Sequence, residues 1–458
     1  MNFGHIKNIH FVGIGGIGMS GIAEILTNYD LSISGCDMRA SETTDKLSKE
    51  GIEILIGHDA SHAEQADLMV ISSAVKADTP ELIRARALHV PVIRRAEMLG
   101  EIMRLKRGIA VAGTHGKTTT SAMIAMVLSE GGLDPTLIIG GVLRDLATNA
   151  RLGKSDYLVV EADEYDRSFL TLHPTCAVVT NIEADHLDCY KDLADIRNTF
   201  AAFARKVPFY GCLIGCADDP LVLSLLDSAA KRSVRYGFSE EAELRATNIS
   251  FENGRSAYDV SLDGQRLGRV SLAVPGNHNI RNSLAAIAVA LELDVPFESA
   301  ALALSKFGGV ERRFQIVGQF RGAIIVDDYA HHPTEIRATL QAARSGYPDR
   351  RIVALFQPHL YSRTRDFVND FADSLRGADV ALVSKIYGAR EEPIEGVNSS
   401  MITSAANEQG ARNVSLIEGN NAEIEIAIRS MLSPDDLFVT MGAGDINGIG
   451  RALAGATS

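Results

Sequence analysis

The chain has 458 residues, room for about three domains at roughly 150 residues each, which excludes a peptide or a disulfide-stapled miniprotein. Hydrophobic residues make up 46% and charged residues 22%, so neither intrinsic disorder nor a fibrous repeat fits. With 58 acidic against 45 basic side chains and a net charge of −13, the composition excludes sequence-independent binding to nucleic acid or to anionic membranes, and small anions must be caught by local loops.

In chain order, Ile9 to Val12 reads as a buried strand, followed at once by Gly13-Ile14-Gly15-Gly16-Ile17-Gly18 and an apolar helix through Leu26. This is the glycine-rich phosphate turn in its required strand and helix context, with the helix N-terminus presenting unpaired N–H groups to a phosphate. Asp37 follows a second short strand, Leu31 to Gly35, at about the spacing of a ribose-diol acceptor. A complete dinucleotide fold needs two mononucleotide halves, and the stretch before the next phosphate loop is too short for both, which favours a single mononucleotide over NAD. Leu68 to Ile71 ends in Ser72-Ser73, two hydroxyls at a strand's carboxyl end, where they either meet a ligand or cap the strand.

Ile109 to Ala112 is the next strand, Gly113-Thr114-His115-Gly116-Lys117-Thr118 a shortened P-loop, and Thr119 to Leu128 a helix. In such a loop the backbone cradles phosphates, Lys117 reaches the β and γ oxygens, and the Thr118 hydroxyl can ligate Mg²⁺. Tyr157 to Val160 delivers Glu161, the type of acid that holds Mg²⁺ directly or through water. Ala177 to Thr180 leads to Asp185-His186, where His186 is either a second metal ligand or a hydrogen-bonded loop residue. Past Pro208 the pattern alternates, with Asn253-Gly254 and Asp263-Gly264 turns that predict antiparallel hairpins. Asn279 and Asn282 share one face near a helix start, where capping is an alternative to ligand contact.

Strand and helix then alternate to the end, predicting a further doubly wound α/β domain with its polar residues at strand carboxyl ends. Ala323 to Val326 leads to Asp327-Asp328-Tyr329-Ala330-His331-His332-Pro333, and Arg351 to Phe356 leads to Gln357-Pro358-His359-Leu360-Tyr361-Ser362-Arg363. Side chains of neighbouring residues on extended backbone point apart, so at most one of His331 and His332 lines a cleft. Arg363 reads as a carboxylate clamp or as a surface residue at a helix start. The five cysteines, Cys36, Cys176, Cys189, Cys212 and Cys216, lack the close pairing of a redox or zinc motif and predict a reducing, cytoplasmic setting. No export signal is visible and no apolar run reaches the roughly 18 residues of a membrane span, so no membrane insertion is expected.

These motifs together resemble the Mur ligase family over nearly the whole chain. The resemblance rests on Gly13 to Gly21, Gly113 to Thr119, Glu161-Ala162-Asp163-Glu164, Asp185-His186-Leu187-Asp188, His278-Asn279 with Asn282, Arg312-Arg313-Phe314, Asp328 to Pro333, and Gln357-Pro358-His359. It implies three α/β domains: a Rossmann-like domain over 1–107 binding a UDP-sugar, a central P-loop domain with antiparallel hairpins over 108–318 binding ATP, and a Rossmann-like domain over 319–458 binding an amino acid and closing on ATP. The implied reaction is ATP-dependent joining of L-alanine to the carboxylate of UDP-N-acetylmuramate through an acyl phosphate, with Mg²⁺ as cofactor, in peptidoglycan precursor synthesis; the alternative within the family is recycling of a whole tripeptide onto the same sugar nucleotide. By the same resemblance Gly13, Gly15, Gly16, Ile17, Gly18, Asp37, Ser72 and Ser73 serve the UDP-sugar. Gly113, Thr114, His115, Gly116, Lys117, Thr118, Thr119, Asn279, Asn282, Arg313 and Asp328 serve ATP. Thr118, Glu161 and His186 hold metal, and Lys117, Glu161, His186, Asn282, Arg313 and Asp328 are the catalytic set. Tyr329, His331 and Arg363 look toward the amino acid. The chain departs from the family at Leu360, where an arginine is usual, and a monomer or weak homodimer is expected.

Overall fold

The computed structural model describes residues 3–72, 74–146, 148–389 and 391–455. Three α/β domains follow from three sheets. The first is all parallel, in the order β3-β2-β1-β4-β5, with β1 Asn8–Val12, β2 Ser32–Asp37, β3 Glu53–Ile56, β4 Leu68–Ile71 and β5 Val92–Arg94. Ile9 and Phe11 face the helices Ile17–Leu26 and Arg95–Arg104, while Val12 and Cys36 face Ala63 and Ala85 on the opposite side. This is the two-sided burial that parallel strands require.

The second sheet has ten strands: β6 Arg107–Ala112, β7 Thr136–Leu143, β8 Thr148–Arg151, β9 Tyr157–Glu161, β10 Cys176–Val179, β11 Cys212–Cys216, β12 Ser233–Gly237, β13 Leu244–Glu252, β14 Arg255–Leu262 and β15 Gln265–Leu272. Their order is β15-β14-β13-β12-β11-β10-β6-β9-β7-β8, which puts β6 between β9 and β10 and so brings the ends of three parallel strands together at one edge. The hairpins begin later than their expected place after Pro208. Cys212 to Cys216 is buried throughout and extends the parallel run, as a continuous apolar strand should. At the two hairpin turns Asn253, Gly254, Asp263 and Gly264 all have positive φ, the backbone of a type I′ turn.

The third sheet runs β16-β17-β21-β18-β19-β20, with β16 Gln315–Phe320 antiparallel and the others parallel: β17 Ala323–Asp328, β18 Arg351–Phe356, β19 Val380–Val383, β20 Val414–Leu416 and β21 Asp436–Met441. The chain divides into two compact units, 1–247 with 259–269 and 281–304, and 248–258 with 270–280 and 305–458. The first sheet and most of the second belong to the first unit, where they meet at several close contacts, Thr171 Oγ1 donating to the Ala96 carbonyl at 2.8 Å among them. Gly21 lies under the hairpin of β7 and β8, where a Cβ would sit 2.7 Å from that of Ala150, and Asn149 Nδ2 donates to the Ile17 carbonyl at 2.8 Å. No helix among the described residues is long and apolar enough to cross a membrane, and all five cysteines are free thiols.

Candidate active site

Gly113 and Gly116 adopt φ +139° and +83°, conformations that L side chains rarely take, and this lets the loop after β6 turn directly into the helix Lys117–Glu130. That helix begins two residues earlier than the sequence pattern indicates, so the amide ends of its first turn face the loop. The loop is tied from below by β10: Asn181 Oδ1 accepts from His115 N at 2.8 Å, and Thr180 Oγ1 donates to the His115 carbonyl at 2.6 Å. Thr114 Oγ1 accepts from Glu183 N at 2.9 Å.

Lys117 folds back on this loop. Its Nζ donates to the carbonyls of Gly113 and Thr114 at 2.7 and 3.1 Å and to Glu164 Oε1 at 2.9 Å. Burial opposes the ammonium charge, but Glu164, Asp163 and Glu161 outweigh it and raise its affinity for the proton. Burial, with Asp163 beside it, pushes the Glu164 carboxyl up to about 7 against the pull of Lys117. Thr118 Oγ1 donates to Glu161 at 2.9 Å, and Gly140 N fixes the same carboxylate at 2.7 Å. Thr118 and Glu161 therefore present hard oxygens side by side, the donor chemistry that Mg²⁺ accepts. His186, at φ +54°, lies with Nε2 3.7 Å from Glu164 Oε1 and 3.8 Å from Asp185 Oδ2. Its carboxylate neighbours in the structure thus include both Glu164 and Asp185. Asn282 stands against the loop, its Oδ1 2.7 Å from where a Cβ on Gly116 would be, and Thr119 is buried in the helix's first turn.

The first glycine loop shows the same construction. Gly13 has φ +81°, the helix starts at Ile17 with no side chain capping Gly16, and Gly18 packs against Arg95. Asp37 Oδ2 accepts from Gly15 N at 2.9 Å, so one of its oxygens braces the loop as well as standing at the strand's end. Ser72 accepts from Ala74 N at 3.3 Å, an end-of-strand turn, and Ser73 lies outside the described residues.

Asn279, Arg313 and Asp328 belong to the second unit, with Tyr329, His331 and Arg363. Asn279 Nδ2 donates to the Pro275 carbonyl at 2.7 Å. Asp328 ends β17 buried, accepting from Phe314 N and Ala330 N at 2.9 and 2.8 Å; burial pushes its carboxyl up to about 6 against the neighbouring Arg313. The guanidiniums of Arg312 and Arg313 lie 4.8 and 5.3 Å from the Tyr329 ring centre. His331 holds the Tyr329 carbonyl at 2.9 Å and meets His359 edge-on at 5.7 Å, and His359 is 3.4 Å from Arg363 Nη1. Tyr329, His331 and Arg363 are thereby gathered at one sheet edge, with His359 as the link that sequence spacing could not supply. Arg363 is 7% exposed, which removes the surface alternative. His332 is buried and caps the helix Pro333–Gly346 through Thr334 N. Leu360 opens the helix Tyr361–Asp366 at φ +69°, a conformation costing a non-glycine residue about 1–3 kcal/mol.

Comparison with known proteins agrees with this layout. The family descriptions "Mur ligase family, catalytic domain", "Mur ligase middle domain" and "Mur ligase, glutamate ligase domain" match residues 8–107, 111–290 and 312–444. A UDP-N-acetylmuramate–L-alanine ligase of Geobacter sp. (strain M21) is 49% identical over 451 residues, 98% of each chain. Among solved structures, a UDP-N-acetylmuramate–alanine ligase of Thermotoga maritima superposes with a TM-score of 0.82 at 32% identity over 99% of each chain. A murein peptide ligase of Psychrobacter arcticus gives 0.71 at 27% identity over 98% of each.

Proposed function

Because the chain belongs to the Mur ligase family, we propose that it joins L-alanine to the carboxylate of UDP-N-acetylmuramate at the expense of ATP, a step of peptidoglycan precursor synthesis in the cytoplasm. The observation that carries this reading is the P-loop set of Lys117, Thr118 and Glu161, built in a chain 49% identical end to end to a relative bearing that activity in its name. The residues 1–107 take the UDP-sugar on the Gly13 loop, 108–318 take ATP on the Gly113 loop, and 319–458 take the amino acid.

A carboxylate is a poor electrophile, so the substrate oxygen first attacks the γ phosphorus and ADP leaves. The acyl phosphate then accepts the amine of L-alanine at its carbonyl carbon, phosphate departs, and the amine loses a proton. The N–H groups of the loop and first helical turn position the phosphates, and Lys117, released from Glu164 as they arrive, meets the charge on the transferring group. Glu164, with its proton affinity near neutrality, is suited to surrender that ammonium without remaining a bare buried anion. Thr118 and Glu161 would hold Mg²⁺, which offsets phosphate charge when bound; His186 would serve a second ion. Asn279, Asn282, Arg313 and Asp328 complete the nucleotide contacts, and Arg363 pairs with the carboxylate of L-alanine.

A matrix assay tests the whole reading: ADP release measured with each of several sugar nucleotides against L-alanine, glycine, L-serine and an alanyl-glutamyl-diaminopimelate tripeptide. The expected result is turnover that requires UDP-N-acetylmuramate and L-alanine together. Preference for the tripeptide would assign the chain to recycling, and ADP release without an amine would remove the ligase reading.

A further inference from the structure

Behind the first sheet, on the face away from the helix Ile17–Leu26, five side chains from four separate elements converge. His10 comes from β1, Cys36 from β2, His58 and His62 from the segment after β3, and Glu81 from the first turn of the helix Pro80–Leu88. None belongs to the reaction just described. Their surroundings are apolar, with Val12, Ala63, Met69 and Ala85 in the same packed cluster, and His10, Cys36 and Glu81 are at most 1% exposed.

The hydrogen bonding within this group is lopsided. Four donors crowd onto one oxygen: Glu81 Oε1 lies 3.5 Å from Cys36 Sγ, 2.9 Å from His58 Nδ1, 3.2 Å from His62 Nδ1 and 3.1 Å from Asp59 N. The other carboxylate oxygen, Oε2, is buried with no partner. His10 spends Nδ1 on Ser34 Oγ at 2.9 Å, and its Nε2 is likewise buried with none. Buried polar atoms are nearly always satisfied, so two orphans in one cluster ask for an explanation. One ligand atom from each of His10, Cys36 and His62 lies within 4.8 Å of the other two, and the same holds for Cys36, His58 and Glu81. Donors around a four-coordinate zinc sit about 3.3 to 3.7 Å apart, given bond lengths near 2.0 Å to nitrogen and 2.3 Å to sulfur, so a contraction of about 1 Å closes the site.

We propose that this pocket is a transition-metal site of the zinc class, with Cys36, His10 and His62 as ligands and Glu81 as the fourth. Thiolate and imidazole donors select such an ion over Mg²⁺, which prefers oxygen. Charge also balances: a divalent ion with one thiolate and one carboxylate is neutral, which an apolar pocket requires. The ion replaces the thiol proton, which passes to solvent, and the crowded hydrogen bond from Cys36 to Glu81 is exchanged for two metal bonds. His58 then remains as the hydrogen-bond partner that orients Glu81. The site bears on the nucleotide loop through the backbone, since the Cys36 carbonyl accepts from both Gly13 N and Ile14 N at 2.8 and 3.1 Å.

The test is titration of the full-length, chelator-stripped protein with Co²⁺ alone, in excess Mg²⁺ to occupy oxygen-donor sites, read by visible and near-ultraviolet absorption. The expected result is one equivalent bound with tetrahedral ligand-field bands and a thiolate-to-cobalt charge-transfer band, both abolished by added Zn²⁺ and the charge-transfer band lost in Cys36→Ser. His62→Ala, on the short 3-10 helix Ala60–Ala63 with its side chain 11% exposed, is a second variant at a position outside the sheet and should weaken binding at least tenfold with unchanged circular dichroism. Absence of the charge-transfer band in the wild type, its survival in Cys36→Ser, or undiminished affinity in a folded His62→Ala would overturn the proposal.

Discussion

Replacing Gly116 with alanine separates backbone strain from crowding at the P-loop. At φ +83° an L side chain costs about 1 to 2 kcal/mol. The new methyl would also stand 2.7 Å from Asn282 Oδ1, an overlap that adds about 1 kcal/mol, the low end for overpacking because the clashing atom ends a side chain that can rotate. The total expected loss is about 2 to 3 kcal/mol in urea unfolding. Asn282→Ala removes the overlap and leaves the strain, so a double-mutant cycle should return a favourable coupling of about 1 kcal/mol. In the same single variant the ATP KM should rise, since the turn at Gly116 sets the direction of the amides that meet the phosphates. A cost below about 0.5 kcal/mol, or strictly additive effects in the cycle, would refute the assigned geometry.

Lys117→Met should lower kcat for ADP release about 100- to 1000-fold with an unchanged circular dichroism spectrum, and near-normal turnover at saturating ATP would remove the lysine from catalysis. Arg363→Ala should raise the L-alanine KM about 10- to 100-fold, the worth of one charged hydrogen bond, while leaving the ATP KM within a few-fold; the reverse pattern would move Arg363 out of the amino-acid site. Asp328, with a folded pKa of about 6 against an ordinary 3.8, contributes stability that is full below pH 3.8 and lost as pH rises through 6. At about 1.4 kcal/mol per unit this amounts to about 3 kcal/mol in full, so the stability of wild type relative to Asp328→Asn should fall by about 2.4 kcal/mol between pH 4 and pH 7.5, and a flat difference would contradict the burial argument.

Both phosphate loops were legible because each demands glycine where the backbone enters positive φ, at Gly13, Gly113 and Gly116, and each sits between a short apolar strand and a helix. The turns Asn253-Gly254 and Asp263-Gly264 announced their hairpins for the same reason. What local pattern could not show are pairings made by the fold across long stretches of chain. Glu164 holds Lys117 from 47 residues away, and nothing near Lys117 in sequence indicates it. His359 joins His331 to Arg363 only because β17 and β18 end at the same edge of their sheet. The cluster around Cys36 escaped notice because its members are drawn from residues 10 to 81, far outside the spacing of any metal motif. The parallel strand Cys212 to Cys216 falls past Pro208, where the alternating pattern is expected, because a five-residue apolar run carries no period of its own.

The position of β21 bears on synthesis. It is the last of its sheet's six strands to be made, yet it pairs on one side with β17, Leu437 beside Ile324, and on the other with β18, Leu437 beside Ile352. A ribosome that has not reached residue 436 therefore carries an emerging unit whose two central strands have no partner between them, each with an open row of amide and carbonyl groups. Assembly of this sheet must wait until residue 441 has been made, unlike the first sheet, whose five strands are complete by residue 94. Chains cut short before residue 436 should consequently be recognised and cleared as unfolded in this sheet, although both glycine loops precede it in the chain.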